Sequence, residues 1–242
     1  MDNESALADL AKKAIKEWDI DVESINLYLQ SENTVFKVEG TNGNTYALRI
    51  HRKGYHDLEE LNSEHAWTSC LSNAGLSVPE TVATRNGQAY ASVSFLNSDE
   101  CRYVGLVKWL EGTILNDLIL DLEEKDVSDL YESLGKVVAK FHEATIAWEV
   151  PKEFKRHSFD TDGFVGSKPF WGRFWEAENA TTSEREELTL IRNNITESLS
   201  KLPKDMNSFG MIHADMHSQN VLIQEKKLSV IDFDDAGFGW YG

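Results

Sequence analysis

The sequence predicts an α+β chain of two lobes: a small antiparallel β-sheet with one packed helix over residues 1–108, and a mostly helical lobe over 109–242. Three observations predict it. Short patterns run in the order strand, strand, strand, helix, strand, strand. The periodicity turns helical after Glu111-Gly112. No long parallel crossover series is present, which disfavours a doubly wound sheet.

Leu7, Leu10, Ala11, Ala14, Ile15 and Trp18 recur at helical spacing, so an amphipathic helix opens the chain. Ile25–Leu29, Thr34–Val38 and Tyr46–Ile50 read as strands, and Thr41-Asn42-Gly43-Asn44 supplies the positive φ angles of a tight hairpin between the last two. Leu58–Ala74 reads as a helix with Gly75 at its C-terminal cap. Val78–Ala83, Ala89–Phe95 after an Asn86-Gly87 turn, and Tyr103–Trp109 follow as strands. In the second lobe, Leu134, Val137, Val138 and Phe141 share a helical face, and Glu184–Leu202 is a further helix. Pro151–Trp175 is aromatic-rich and irregular. Met211–His213, Val221–Gln224 and Leu228–Asp232 read as short strands.

Composition narrows the function classes. A hydrophobic fraction of 41% sustains a core and excludes global disorder. A formal charge of -17 argues against a nucleic-acid partner, which needs a basic face, and against docking on anionic membranes. Cys70 and Cys101 stand in unrelated contexts, with no disulfide framework or cysteine zinc motif. Met1-Asp2-Asn3-Glu4-Ser5 is polar, and no apolar run approaches the roughly 20 residues that span a bilayer. A soluble cytoplasmic protein is the expectation.

The chemistry concentrates between Met211 and Asp235. Asp215 follows an apolar strand, where its carboxylate can accept a hydrogen bond from an attacking hydroxyl. Asn220, five residues on, offers a neutral oxygen to a metal, and Asp232 a hard anionic one of the kind Mg²⁺ takes. A loop and hairpin can gather these around one metal–phosphate centre, the requirement of phosphoryl transfer. A second reading takes His213, Asp215 and His217, with Asp232 or Asp234, as the ligands of a metal-dependent hydrolase, since alternate strand residues share a face. It leaves Asn220, Arg49 and Glu64 without a role.

His213-Ala214-Asp215, Asn220 and Ile231-Asp232-Phe233-Asp234 resemble the aminoglycoside phosphotransferase and choline kinase family, whose signature reads His-Gly-Asp-(x4)-Asn and then apolar-Asp-Phe/Trp-Asp. Ala214 replaces the usual Gly. Asp234 stands where protein kinases have Gly, which favours the small-molecule branch. The resemblance implies a bilobal protein-kinase-like fold, Mg²⁺ and ATP, and a small hydroxylated acceptor that is aminoglycoside-, choline- or homoserine-like. It makes Asp215 the catalytic base, Asn220 and Asp232 the metal ligands, and His213 a brace. A protein Ser/Thr acceptor and a non-catalytic nucleotide-binding fragment are the alternatives within the same fold.

The resemblance extends upstream. Arg49 in Tyr46–Ile50 stands where relatives place a basic residue, usually Lys, for the α/β-phosphates, and Glu64 resembles its helix partner. Ser31–Phe36 resembles the loop over the phosphates, with Asn33 and Thr34 as side-chain contacts; a plain hairpin turn is the alternative. Lys108, Trp109 and Leu110 resemble the interlobe hinge that meets adenine, or an ordinary connector. Asp117, Asp121, Glu123, Glu124, Asp126, Asp129 and Glu132 form either an acidic acceptor pocket or a solvated helix face. Phe164, Phe170, Trp171, Phe174 and Trp175 either stack on a cation or make local core. Relatives continue with further helices beyond the position of Gly242, so the expectation is retained nucleotide binding with weakened or absent acceptor phosphorylation.

Overall fold

The computed structural model describes residues 4–241; the opening Met1-Asp2-Asn3, the closing Gly242 and the side chain of Asp121 lie outside the described residues. Helix α1 (Glu4–Ala14) buries Leu7, Leu10, Ala11 and Ala14, the face its periodicity predicts. It packs on a five-stranded antiparallel sheet of β1 (Val22–Gln30), β2 (Thr34–Gly40), β3 (Thr45–Ile50), β4 (Tyr90–Ser94) and β5 (Cys101–Lys108), in the order β1-β2-β3-β5-β4. Strand alternation sorts the residues. Phe36, Val38, Leu48 and Ile50 are buried in the core shared with α1 and Trp18, while Val35, Ala47 and Arg49 take the opposite face, over the cleft between the lobes. The β2–β3 hairpin turns at Gly43, with φ +78°.

Helix α2 (Leu58–Asn73) starts at a capping box in which Asp57 and Glu60 satisfy each other's backbone N–H groups. It stops in a Schellman turn: Leu76 N–H donates to Leu71 O (3.1 Å) and Gly75 N–H to Ser72 O (2.9 Å), with Gly75 at φ +83°. Its buried face carries Leu61, Glu64, Trp67, Thr68 and Leu71. The strand expected over Val78–Ala83 does not form. Val82 N–H bonds Leu106 O and Lys108 N–H bonds Glu80 O, but only Thr81 bridges β5, opposite Val107. Pro79 lacks the N–H a ladder needs at that point.

The second lobe holds β6 (Thr113–Ile114), α3 (Leu115–Leu118), α4 (Glu124–Ile146), α5 (Thr161–Val165), α6 (Thr182–Leu199), β7 (Phe209–Ile212), β8 (Val221–Gln224), β9 (Lys227–Val230) and β10 (Gly237–Trp240). Helix α4 buries Leu134 and Phe141 against the small sheets β6-β8-β9 and β10-β7. Strand β10 was not anticipated, because Gly237 and Gly239 break the apolar alternation that marks a strand. Gly237 is needed, since a Cβ there would sit 2.7 Å from the His157 ring and 2.9 Å from its carbonyl, while one at Gly239 would displace the Ile212 side-chain end 2.4 Å away. Asp117, Glu123, Glu124, Asp126, Asp129 and Glu132 are all exposed, the arrangement of a solvated helix face. Among the described residues, no helix is long and apolar enough to cross a membrane.

Candidate active site

The loop leaving β7 is held from within. His213 is buried; its Nε2 donates to Ile231 O (3.0 Å) and its Nδ1 accepts the Asp215 N–H (3.3 Å), which fixes the tautomer. Burial lowers the His213 pKa, so the ring stays neutral and acts as a brace. Asp215 presents a carboxylate 40% exposed to the cleft. Its Oδ2 accepts from Asn220 Nδ2 at 2.8 Å, and Asn220 Nδ2 also donates to the Asp215 carbonyl at 3.0 Å. The amide end of Asn220 is therefore taken, and its oxygen is the end left for a cation. Asn220 closes a single 3₁₀ turn (Ser218–Asn220) immediately before β8 rather than opening the strand.

Ala214 has φ +63°, a left-handed conformation that explains the glycine usual in this signature. An L-residue there carries a cost of about 1–2 kcal/mol. Part of it is offset because Gly has more unfolded-state freedom to lose. Ala214→Gly is expected to stabilise the chain by up to ~1 kcal/mol, read as a rise in Tm of roughly 2–4 °C. A fall in Tm would contradict the strained geometry.

Strand β9 ends at Val230, short of the expected Asp232. Ile231 N–H then bonds Asn220 O (2.9 Å), which places the next residue, Asp232, beside Asn220. Asp232 itself turns out of the strand at φ +64°, a non-glycine residue in a left-handed conformation at a site where strain aims a side chain. One amide oxygen and one carboxylate are hard donors suited to Mg²⁺, and the half-exposed Asp232 carboxylate (46%) faces the cleft, so these residues fit that ion. The hydrolase reading fails, because both ring nitrogens of His213 are engaged inside the loop and, among the described residues, no group of three or more His, Cys, Asp or Glu side chains can hold a metal.

Arg49 reaches this loop from β3, with Nη2 at 2.7 Å from Asp232 Oδ1 and 3.4 Å from Asp234 Oδ1. Burial opposes its charge, but Asp234 and then Asp232 outweigh that and raise its pKa. The expected ion pair between Arg49 and Glu64 is not formed in this state. Glu64 lies buried on α2, and its ion-pair partner is Arg156 at 3.7 Å. Burial pushes the Glu64 carboxyl up to about 7, with Arg49 and Arg156 pulling the other way. Asn33 was expected at phosphate. Instead its Nδ2 donates to Asp234 Oδ2 (3.0 Å), and its Oδ1 accepts the Arg52 N–H (2.9 Å). Thr34 is buried in β2. In the connector, Lys108 N–H donates to Glu80 O and Trp109 N–H to Thr45 O.

Three residues escaped the sequence reading as site members. Asp234, noted as a family marker and as a ligand in the hydrolase reading but not as a contact between lobes, is a buried tie that contacts Asn33, Arg49 and His51 (3.8 Å). Burial would raise its pKa, but Arg49, His51 and Asn33 hold it well below the usual carboxylate range. His51 is pushed down to about 4, chiefly by burial. Arg156 is wholly buried against the backbone of residues 233–236. No local motif announces any of them; each matters through a partner distant in the chain.

The aromatic segment is largely local core. Phe170 stacks on His157 with centroids 3.5 Å apart, Phe164 and Trp171 pack on Phe159, and Trp175 is buried under Arg192. Trp171 remains 57% exposed. The Tyr55 hydroxyl donates to Asp235, which places this cluster beside the Asp232 loop.

Residues 28–242 match the model of a phosphotransferase enzyme family. The structure of a microcompartment-associated aminopropanol kinase superposes with a TM-score of 0.80 at 30% identity, covering 97% of this chain and 71% of that one. Amicoumacin kinase of Bacillus subtilis (strain 168) is 21% identical over 221 residues, which are 90% of this chain and 60% of the relative. The chain thus spans 60% of the length of that curated relative. An amicoumacin kinase bound to AMP-PNP, Ca²⁺ and its ligand shares the fold at a TM-score of 0.78 and 20% identity, covering 99% of this chain and 66% of that one. With the match running from within β1 through the Asp215 and Asp232 loops, the chain belongs to the phosphotransferase enzyme family.

Proposed function

We propose that the chain binds Mg²⁺–ATP between its lobes and transfers the γ-phosphoryl group to a hydroxyl of a small molecule in the cytoplasm. The observation that carries this is the mutual bracing of Asp215, Asn220 and the Ile231-Asp232 turn opposite Arg49. Asp215 would accept the hydroxyl proton as the acceptor oxygen attacks the γ-phosphorus and ADP leaves. Asn220 Oδ1 and Asp232 would hold Mg²⁺, which supplies charge compensation on the phosphates. Arg49, once Asp232 turns to the cation, is free to meet α- and β-phosphate oxygens with two parallel donors. The named relatives act on small molecules, aminopropanol and amicoumacin, and this favours a small acceptor over a protein side chain.

The test is thermal stability with and without Mg²⁺–ATP, for the parent and Asp232→Asn. A ligand at a hundredfold excess over its Kd adds about 2.7 kcal/mol to native stability. For a chain of this size that is a Tm rise of roughly 5–10 °C. The parent is expected to show it only with Mg²⁺ present, and Asp232→Asn is expected to lose most of it. A parent with no Mg²⁺-dependent shift rejects the reading. A shift without ADP release on any amino alcohol leaves a nucleotide-binding protein.

A further inference from the structure

Arg156 lies in the loop after α4, far in sequence from every residue assigned above, and its side chain is 0% exposed. Its Nε donates to Ala236 O at 2.6 Å, and its Nη2 donates to Phe233 O at 3.2 Å and to Asp234 O. Its Nη1 points the other way, toward Glu60 O at 3.4 Å and Glu64 Oε2 at 3.7 Å on α2. One planar fork thus satisfies three carbonyls of the segment that follows Asp232 and the Glu60 carbonyl of α2, and pairs in charge with Glu64.

The segment needs such a partner. Residues 231–236 lie between the end of β9 and the start of β10, so most of their carbonyls have no strand to pair with. Buried carbonyls without donors are costly, and a guanidinium with five N–H groups in a fixed plane is the side chain that can serve several at once. The loop bearing Arg156 is anchored on both flanks. Ser63 Oγ on α2 accepts the Lys155 N–H at 2.8 Å, and His157 O accepts the Phe238 N–H of β10 at 2.9 Å. His56 and His157 add bonds to the carbonyls of Asp234 (2.7 Å) and Asp235 (3.0 Å). The held segment begins one residue after Asp232, whose positive φ persists only if its surroundings impose it.

We propose that Arg156 is the positioning residue of the metal ligand Asp232, fixing the backbone of residues 233–236 so that the carboxylate faces the cleft, and linking that setting to α2. This rests on the reading of Asp232 as a Mg²⁺ ligand. Arg156 touches neither metal nor phosphate; it acts through the backbone. Removing outer partners of a metal ligand typically lowers metal affinity by about 10–100-fold.

The experiment compares the parent with Arg156→Lys, which keeps the charge and loses the fork. Half-saturating Mg²⁺ at fixed ATP is expected to rise about 10-fold or more, while affinity for ATP without metal changes by less than about threefold. A folded Arg156→Lys protein with unchanged Mg²⁺ dependence, or with equal losses in both measurements, overturns the proposal. If Arg156→Lys does not fold, Ser63→Ala removes one of the bonds that tie the same loop to α2 and leaves the fork intact. It is expected to raise half-saturating Mg²⁺ about threefold, and no change overturns the proposal. Hydrogen exchange gives a metal-independent arm. Amides 232–236 are expected to exchange at least tenfold faster in the variant while β7 and β8 keep their protection; uniform acceleration also overturns it. A parent with no Mg²⁺-dependent binding fails the phosphotransfer reading instead, and the exchange result stands apart from it.

Discussion

Asp215→Asn is expected to lower phosphoryl transfer to an amino alcohol by about 10²–10⁴-fold, the range a positioned general base contributes, while the Mg²⁺–ATP stability shift is retained. The reason lies in how the carboxylate is held. Asp215 Oδ2 is occupied by Asn220 Nδ2 at 2.8 Å, so Oδ1 is the oxygen free to take a proton in the cleft. An amide oxygen is far too weak a base for that. The backbone bonds of the loop, from Asp215 N–H to His213 and from Ile231 N–H to Asn220, do not depend on the substituted atom, so the loop keeps its shape. Steady-state ADP release together with the thermal shift checks both halves. A variant retaining more than about a tenth of parent turnover removes Asp215 from the proton-transfer role.

The second large effect concerns Glu64 and pH. Its carboxyl is buried, its Oε2 has no hydrogen-bond partner, and burial raises its pKa from 4.5 to about 7. A carboxyl whose folded pKa lies above its unfolded value favours folding while protonated. That stability is present below pH 4.5 and is lost as pH rises toward about 7. The span corresponds to roughly 3 kcal/mol. Glu64→Gln keeps the shape and removes the titration. Its stability relative to the parent is therefore expected to grow by up to ~3 kcal/mol between pH 4.5 and pH 8, measured by urea unfolding at the two values. Parallel pH profiles would contradict the burial argument. Asp234 works in a separate window: its depressed pKa gives stability that is lost only as pH falls below the ordinary aspartate value of 3.8.

Residue patterns that act locally were legible. The apolar spacing of α1, the Asn42-Gly43 turn, the Gly75 cap and the helical face of α4 all lie where periodicity and turn chemistry place them. The predicted strand over Val78–Ala83 failed for a local reason too, since Pro79 removes a donor that periodicity does not weigh. The spacing from Asp215 to Asn220 and on to Asp232 marked residues that the fold brings together, because a tight loop and a short hairpin leave few ways to arrange them.

Pairing across the cleft was not legible. The sequence identified Arg49, Glu64 and Asn33 as charged or polar groups in useful places. Their partners depend on which lobe face meets which, and the fold joins Arg49 to Asp232, Asn33 to Asp234, and Glu64 to Arg156. Arg156 illustrates the limit best, since its donors serve carbonyls about 80 residues away and no periodicity encodes that contact. By itself the sequence determined the two-lobed α+β architecture and the grouping of polar residues in the His213–Asp235 stretch, because strand and helix periods and loop spacing are short-range properties of the chain. Only the tertiary structure decided which ion pairs hold the cleft, because buried charges take whatever partner the packing of distant segments brings within reach.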